Sequence, residues 1–293
     1  MFFPALCVAL SGIAFGTIGY FGVRLFESGF LASHMLFWRF LIASLLILPF
    51  VKLSSLFSIS FRSLITCFFL GGIFYGLSTY CFFSAIPYVG SGIAMVIFYA
   101  FPVLVAFLSW CIDKKKLSSF EMLAMCLIFP GVLLLSATDS LNFDIQGIWI
   151  ASGSALFYGV YFYASKKISN TVPSSVASLL ICLGNTAFFL AICLYQKDFR
   201  VPQTNYQWFQ YIGFSFIGTV LPLWLLFVGL KGINVTKAAL ISVLEPLSTV
   251  LIGVWILNEV LSHRQTIGIV ILLFAAIVVQ FKGTEPKLSK LVK

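Results

Sequence analysis

Charged side chains are scarce in this sequence, because Asp, Glu, Lys and Arg make up only 9% of its 293 residues. Ordinary soluble domains carry about 25%. Hydrophobic residues reach 61%, and a soluble core that apolar could not be covered by the few polar residues present. The composition excludes a soluble domain of useful size and predicts that lipid surrounds most of the chain.

Residues suited to metal, redox and phosphate chemistry are also scarce. The chain has two histidines without an HExxH motif and seven cysteines without a CxxC pair, so neither a zinc site nor a disulfide framework is expected. No Walker-type phosphate loop occurs, which argues against ATP hydrolysis. The net charge of +9 is dispersed between apolar runs, which indicates membrane topology rather than nucleic-acid binding. No cofactor is predicted.

Apolar runs of about 20 residues dominate what is present, and each is long enough to cross a bilayer as a helix. Hydrocarbon offers the backbone no hydrogen-bond partner, so helices are required. The first run lacks a basic n-region and is interpreted as a retained helix. Ten spans are predicted, at about 3–23, 31–51, 64–85, 91–111, 120–136, 146–164, 175–194, 208–229, 236–257 and 264–281.

Lysines and arginines orient these spans. With a cytoplasmic N-terminus, thirteen of the 18 basic residues fall in cytoplasmic segments. The other side holds Arg24, Lys197, Arg200 and Arg264, and Arg39 lies inside a span. This asymmetry predicts two cytoplasmic termini and an even number of spans. Two halves of five helices then enter the membrane from opposite sides, as an inverted repeat.

The chain also overlays on itself. A shift of 144 residues places Pro102 on Pro246 and Ser84–Val132 on Val228–Ala276 without a gap. Each segment contains an apolar run, a proline, a polar loop and a second apolar run. The predicted organisation is a first repeat at 1–140, a second at 141–283 and a basic cytoplasmic tail at 284–293.

Local motifs add to this pattern. The first span contains SGIAFGTIGYFG, the sixth contains SGSALFYGVYFY, and the second carries its arginine in FWRFLIASLLILPF. The segments AIPYVGSGIAMVIFYAFP and GLKGINVTKAALISVLEP each combine a break, small residues and a proline. With its ten runs and two halves, the chain resembles the EamA-like members of the drug/metabolite transporter superfamily.

The resemblance extends to the end of the second half, where WILNEVLSHRQTIGIVILL places Glu259 and Gly268 at family positions. The first half departs from it, with Asp113 followed by three lysines. Family members move amino acids, cofactors, nucleosides, nucleotide sugars and small drugs. The resemblance implies a multi-pass transporter, and the predicted location is the bacterial cytoplasmic (inner) membrane.

Glu245 is the sharpest functional candidate. It lies about nine residues into its span, roughly 13 Å deep at 1.5 Å per residue, where a carboxylate is costly unless it is paired, hydrated or protonated. A substrate ligand or proton carrier is predicted, with a structural ion pair as the alternative. Arg39 is expected to bind a substrate carboxylate, to pair with Glu245, or to act in structure or gating. Pro102 and Pro246 are gating candidates.

Polar and aromatic side chains in mid-span are the remaining candidates, since a buried hydroxyl or amide needs a partner. The resemblance implies a cavity lined by the third, fourth, sixth, eighth and ninth helices. The predicted lining residues are Tyr75, Thr79, Tyr99, Tyr158, Tyr161, Asn185 and Trp224. Such a chamber suits a flat ring or a cation held over an aromatic face.

The favoured hypothesis is a secondary transporter working by alternating access. One acid, one arginine and several tyrosines favour an amino acid or amino-acid derivative; a cofactor or nucleoside-type solute such as S-adenosylmethionine is the alternative. A non-transporting scaffold and an intramembrane enzyme are weighed as well, although the enzyme needs a nucleophile, metal or paired carboxylates. The partners considered are the substrate, the bilayer, protons as coupling ion and a second copy in a homodimer.

Overall fold

The structure, a computed structural model, describes residues 2–52, 54–55, 59–135, 144–257 and 262–279. Regular secondary structure within these residues is entirely helical, which confirms the predicted all-α class for this part of the chain. Glu259 and the predicted tail at 284–293 lie outside it. The helices before residue 140 are α1 (Phe2–Phe15), α2 (Thr17–Glu27), α3 (Ala32–Ile47), α4 (Phe61–Phe69), α5 (Gly76–Phe98), α6 (Phe101–Asp113) and α7 (Ser119–Leu135).

A second set of helices follows. These are α8 (Ile145–Ser169), α9 (Ser174–Gln196), α10 (Asn205–Ser215), α11 (Leu221–Gly232), α12 (Val235–Ile241), α13 (Leu244–Leu257) and α14 (His263–Val278). Within the described ranges, six continuous helical stretches are long and apolar enough to cross a membrane. They are Phe2–Glu27, Ala32–Phe50, Phe61–Asp113, Ser174–Gln196, Asn205–Gly232 and Val235–Ile256.

The remaining predicted runs are helical too. Ser119–Leu135 and His263–Val278 are shorter apolar helices, and α8 is 25 residues long. Phe61–Asp113 contains two predicted runs, which meet at Gly90, a residue with φ 77° and ψ 161° inside α5. Glycine adopts such a positive φ without the penalty of a Cβ. The connection between the two predicted runs is therefore a sharp break at a single residue.

Side-chain caps fix where several helices begin. The Asp144 carboxylate, just before α8, accepts a hydrogen bond from the backbone amide of Gln146 at 2.7 Å. Thr204 and Gln207 form a capping box at the start of α10. Ser262 does the same with Gln265 at the start of α14. These polar residues satisfy amides that the first helical turn cannot pair internally.

Two further breaks separate helices that would otherwise be continuous. Tyr99–Ala100 separates α5 from α6, and Ser242–Val243 separates α12 from α13. Pro102 and Pro246 each lie in the first turn of the following helix, where Glu245 directly precedes Pro246. A proline there loses nothing, because first-turn amides have no partner within the helix. The prolines therefore start new helices rather than kink existing ones.

A pair of π-helical segments lies between other helices. Leu70–Tyr75 joins α4 to α5, and Phe216–Val220 joins α10 to α11. The 144-residue shift of the sequence overlay superimposes most of one segment on the other. The segments were not predicted, and π-helical turns of this kind occur frequently at functional sites.

Glycines set close approaches between helices. A Cβ at Gly16 would lie 2.8 Å from the carbonyl oxygen of Glu245 at the start of α13. A Cβ at Gly159 in α8 would lie 3.0 Å from the Cβ of Leu104 in α6. Gly16, between α1 and α2, and Gly159, in α8, thus each lie directly against the helix that follows a break.

The tightest glycine contact lies between α9 and the chain around the first π-helical segment. A Cβ at Gly184 would overlap the carbonyl oxygen of Phe68, whereas the nearest atom to a Cβ at Gly153 is Cys81 Sγ at 3.7 Å. We predict that Gly184→Ala is destabilising by roughly 1–3 kcal/mol, the usual cost of overpacking. Thermal unfolding of the purified protein in detergent measures this, with Gly153→Ala as matched control. Equal midpoints for the two variants would contradict the packing.

Candidate substrate cavity

A cavity of about 470 Å³ lies inside the bundle. Its deep end is formed by Arg39 of α3, Tyr158 of α8 and Glu245 of α13. From there it extends to Phe26 at the end of α2 and Ile86 shortly before Gly90. We call this second end the mouth. The volume is within the range of about 300–1,000 Å³ typical of small-molecule sites.

Glu245 is positioned by its backbone. Its amide donates to the carbonyl of Ser242 at 3.0 Å across the break, and the start of α13 rests against Gly16. Thr249, one turn later, donates its hydroxyl to the carbonyl of Gly16 at 3.1 Å. Glu245 is half-buried although it lies deep in the bundle, because its side chain faces the cavity. A carboxylate in the first turn also favours the positive end of the helix dipole.

Tyr99 lies beside this carboxylate but outside the cavity lining. Its side chain is buried, and its hydroxyl donates to the carbonyl of Ser242 at 3.3 Å. The Glu245 carboxylate lies near the same hydroxyl. Tyr99 at one break is thus hydrogen-bonded to the backbone at the other break.

Arg39 is held by neutral acceptors. Only 1% of this residue is exposed. Its Nε donates to Thr219 Oγ1 at 2.6 Å, and its Nη2 donates to the carbonyl of Gly218 at 2.9 Å, both in the second π-helical segment. Its guanidinium also lies 4.5 Å from the ring centroid of Phe214. Arg39 therefore fastens α3 to the irregular backbone between α10 and α11.

The two deep charges share the cavity without touching. Arg39 and Glu245 attract each other electrostatically, but no direct ion pair joins these two described residues. The pairing considered from the sequence is therefore absent in this conformation. The arrangement leaves an acid and a cation facing one enclosed space, which a ligand carrying both charges could bridge.

Tyrosines form the wall between these charges. Tyr75 lines the cavity with Arg39 and stacks on Tyr161, with ring centroids 4.7 Å apart and planes at 13°. Tyr158 packs edge-on against Phe101 at 4.7 Å. Tyr75 and Tyr158 line the cavity, whereas Tyr161 lies behind Tyr75. The wall is an aromatic surface backed by further rings.

The remaining predicted lining residues are divided. Thr79 lines the cavity, but its hydroxyl donates to the carbonyl of Tyr75 in its own helix. Asn185 is buried in α9 and donates to the carbonyl of Ile181 at 2.9 Å. Trp224 is 47% exposed. The described lining contains neither Asn185 nor Trp224.

Several residues that shape the site did not emerge from the sequence. Thr219 and Gly218 hold Arg39, and Ser242 accepts from Tyr99. The overlay did not mark Ser242, because it pairs that residue with Phe98 inside α5 and not with the break at Tyr99–Ala100. No pattern in the sequence marked Thr219 either.

Comparison with known proteins agrees with this architecture. The model of the EamA-like transporter family matches residues 2–137 and 145–281. The uncharacterized transporter YwfM of Bacillus subtilis (strain 168) is 26% identical over 211 residues, which cover 71% of each chain. An uncharacterized transporter in the sor 3' region of Acidianus ambivalens is 28% identical over 151 residues, covering 52% of this chain and 56% of that one.

A known crystal structure also shares the fold. It superimposes with a TM-score of 0.77 at 17% sequence identity and covers 94% of this chain and 96% of its own. The likeness at that identity concerns the fold alone. The family match spans nearly the whole sequence and confirms the predicted resemblance. The chain is a multi-pass integral membrane protein that belongs to the EamA-like transporter family.

Proposed function

We propose that this transporter moves a small zwitterionic metabolite, an amino acid or amino-acid derivative, by alternating access. Ten spans form two inverted repeats, 1–140 and 141–283, with both termini in the cytoplasm of a bacterium and the chain in its inner membrane. The observation that carries the proposal is the single cavity that Glu245 and Arg39 enter from different helices. A substrate amino group would lie at Glu245 and its carboxylate near Arg39.

The inverted arrangement is supported by the equivalent contacts in the two halves. Gly16 packs on the start of α13 as Gly159 packs on the start of α6, and each half contains one of the two π-helical segments. Repeats of this kind give a transporter two gates around one central site. The mouth lies at the opposite end of α1 and α2 from the N-terminus, so this conformation faces away from the cytoplasm.

A cationic solute such as S-adenosylmethionine is the second candidate. The observation that favours it is the engagement of Arg39, whose Nε and Nη2 already have acceptors in the protein. Glu245 makes fewer bonds, and the aromatic wall suits both a sulfonium and an adenine ring. Such a substrate would need the carboxylate and the rings but not the guanidinium.

Counterflow of labelled solutes in proteoliposomes tests the proposal. We predict that Glu245→Gln weakens substrate binding and counterflow at least about tenfold, because a hydrogen bond to a charged group contributes roughly 1.5–3 kcal/mol. Glu121→Gln, which changes an acid near the start of α7 outside the cavity, should retain both. Wild-type counterflow by Glu245→Gln would show that the carboxylate is not a ligand. Failure of any amino acid or S-adenosylmethionine to accumulate would count against both candidate substrates.

Arg39 allows a separate test of its structural contacts. We predict that Arg39→Met lowers the thermal midpoint, because Thr219 Oγ1 and the carbonyl of Gly218 lose their donor, and a hydrogen bond to a charged group contributes roughly 1.5–3 kcal/mol. The thermal midpoint of Arg39→Lys should lie between those of the wild type and Arg39→Met, since an ammonium cannot reproduce the planar fork of the guanidinium. Arg62→Met, at an exposed position of α4, is the control. An unchanged midpoint for Arg39→Met would exclude the fastening of α3 to the π-helical segment.

A further inference from the structure

The end of the bundle opposite the mouth is fastened by one lysine. Lys166, in the last turns of α8, donates its Nζ to the carbonyl of Leu230 and, at 3.4 Å, to that of Lys231. Both carbonyls belong to the last turn of α11, where they have no partner within the helix. A cation at a helix C-terminus is also favoured by the helix dipole.

Packing at this end is closed around the lysine. Leu230 is fully buried, and Ile233 just after α11 is 8% exposed. A Cβ at Gly229 would lie 2.7 Å from the carbonyl oxygen of Pro4 in α1. The C-terminal ends of α8 and α11 and the start of α1 therefore seal the cavity on this side.

The repeat identifies the counterpart of Lys166. Gly16 and Gly159 make equivalent contacts, 143 residues apart, and the same shift pairs Tyr20 with Tyr163. It also pairs Arg24, whose guanidinium carbon lies 5.8 Å from the Tyr20 ring centroid, with Lys167, whose ammonium lies 5.1 Å from that of Tyr163. The residue directly before this cation is therefore Val23 in the first half and Lys166 in the second.

The counterpart of Leu230 follows from the overlay of 144 residues, which places it on Ile86. Both Val23 and Ile86 line the mouth of the cavity, and Val23 is 48% exposed. The pair that the Lys166 ammonium joins by a hydrogen bond at one end is therefore a pair of apolar side chains at the other. The two ends therefore differ in these side chains, whereas the helices that carry them are equivalent.

We propose that Lys166 is a latch that holds the end opposite the mouth closed, and that Val23 leaves the mouth without an equivalent latch. This inference rests on the alternating access proposed above. When the mouth closes, Val23 and Ile86 meet as an apolar gate, while Lys166 releases the carbonyls of α11. Loss of the charged bond is not matched by a new one, so the latch favours the conformation with an open mouth.

Hydrogen–deuterium exchange of the protein in nanodiscs, without substrate, tests the latch. We predict that Lys166→Met raises the populated fraction of the alternate conformation about tenfold, the effect of losing one charge-assisted hydrogen bond. Exchange then rises in peptides covering 163–172 and 228–235 and falls in those covering 20–30 and 84–92. Lys167→Met, which changes the exposed neighbour, should leave both ends unchanged.

A second variant distinguishes loss of the latch from a general loss of packing. Val23→Lys supplies a cation where the first repeat lacks one, so exchange at the mouth should fall while exchange at the Lys166 end rises. Lys166→Arg should retain the wild-type pattern. Increased exchange at both ends in Lys166→Met, or no difference from Lys167→Met, would overturn the latch.

The outcome is separable from that of the proposed function. Opposite shifts at the two ends together with failed counterflow would sustain the latch and refute the proposed substrates. Working counterflow with unshifted exchange would refute the latch alone.

Discussion

A helix that breaks inside a bilayer must find partners for its backbone within the protein, because hydrocarbon offers none. Here two breaks meet, and the hydroxyl of Tyr99 at the first donates to the carbonyl of Ser242 at the second. Gly16 and Gly159 bring neighbouring helices within backbone distance of the chain that follows each break. The cavity exists where these breaks meet, and the location of Glu245 depends on them.

Each half stabilises its π-helical segment differently. In the second half, the guanidinium of Arg39 binds Thr219 and the carbonyl of Gly218. In the first, Gly72 packs directly on the backbone of Gly184 in α9. Backbone packing is dry and uncharged, whereas the arginine brings a permanent cation to the cavity wall. A structural contact and a binding contact can therefore belong to one side chain.

How far the sequence predicts this structure depends on the kind of signal. An apolar run of sufficient length must be helical in lipid, so the helices match the apolar runs. Gly90 marks the break inside α5, because the backbone there has a positive φ that favours glycine. Tyr75, Tyr158, Arg39 and Glu245 reach one cavity as their depth suggested. Trp224 does not, because the depth of a residue in a span does not say which side of the helix it occupies. Aromatic residues lie on all sides of these helices, so no polar face indicates the side that lines the cavity.

Inverted repeats supply the two related halves that a transporter needs, but identical repeats would also be chemically alike. Identical halves would make the two facing conformations equal in energy and the site symmetric, whereas an asymmetric metabolite requires unlike groups on its two sides. This chain departs from its own repeat at Phe101 and Glu245, where a ring that packs on Tyr158 takes the place of a carboxylate. It departs again at Val23 and Lys166. Both departures place an ionisable side chain in the second half, whereas Arg39, the cation at the cavity wall, lies in the first. Departures of this kind change single side chains, so the packing at Gly16 and Gly159 can stay alike in the two halves while the groups that face the cavity differ.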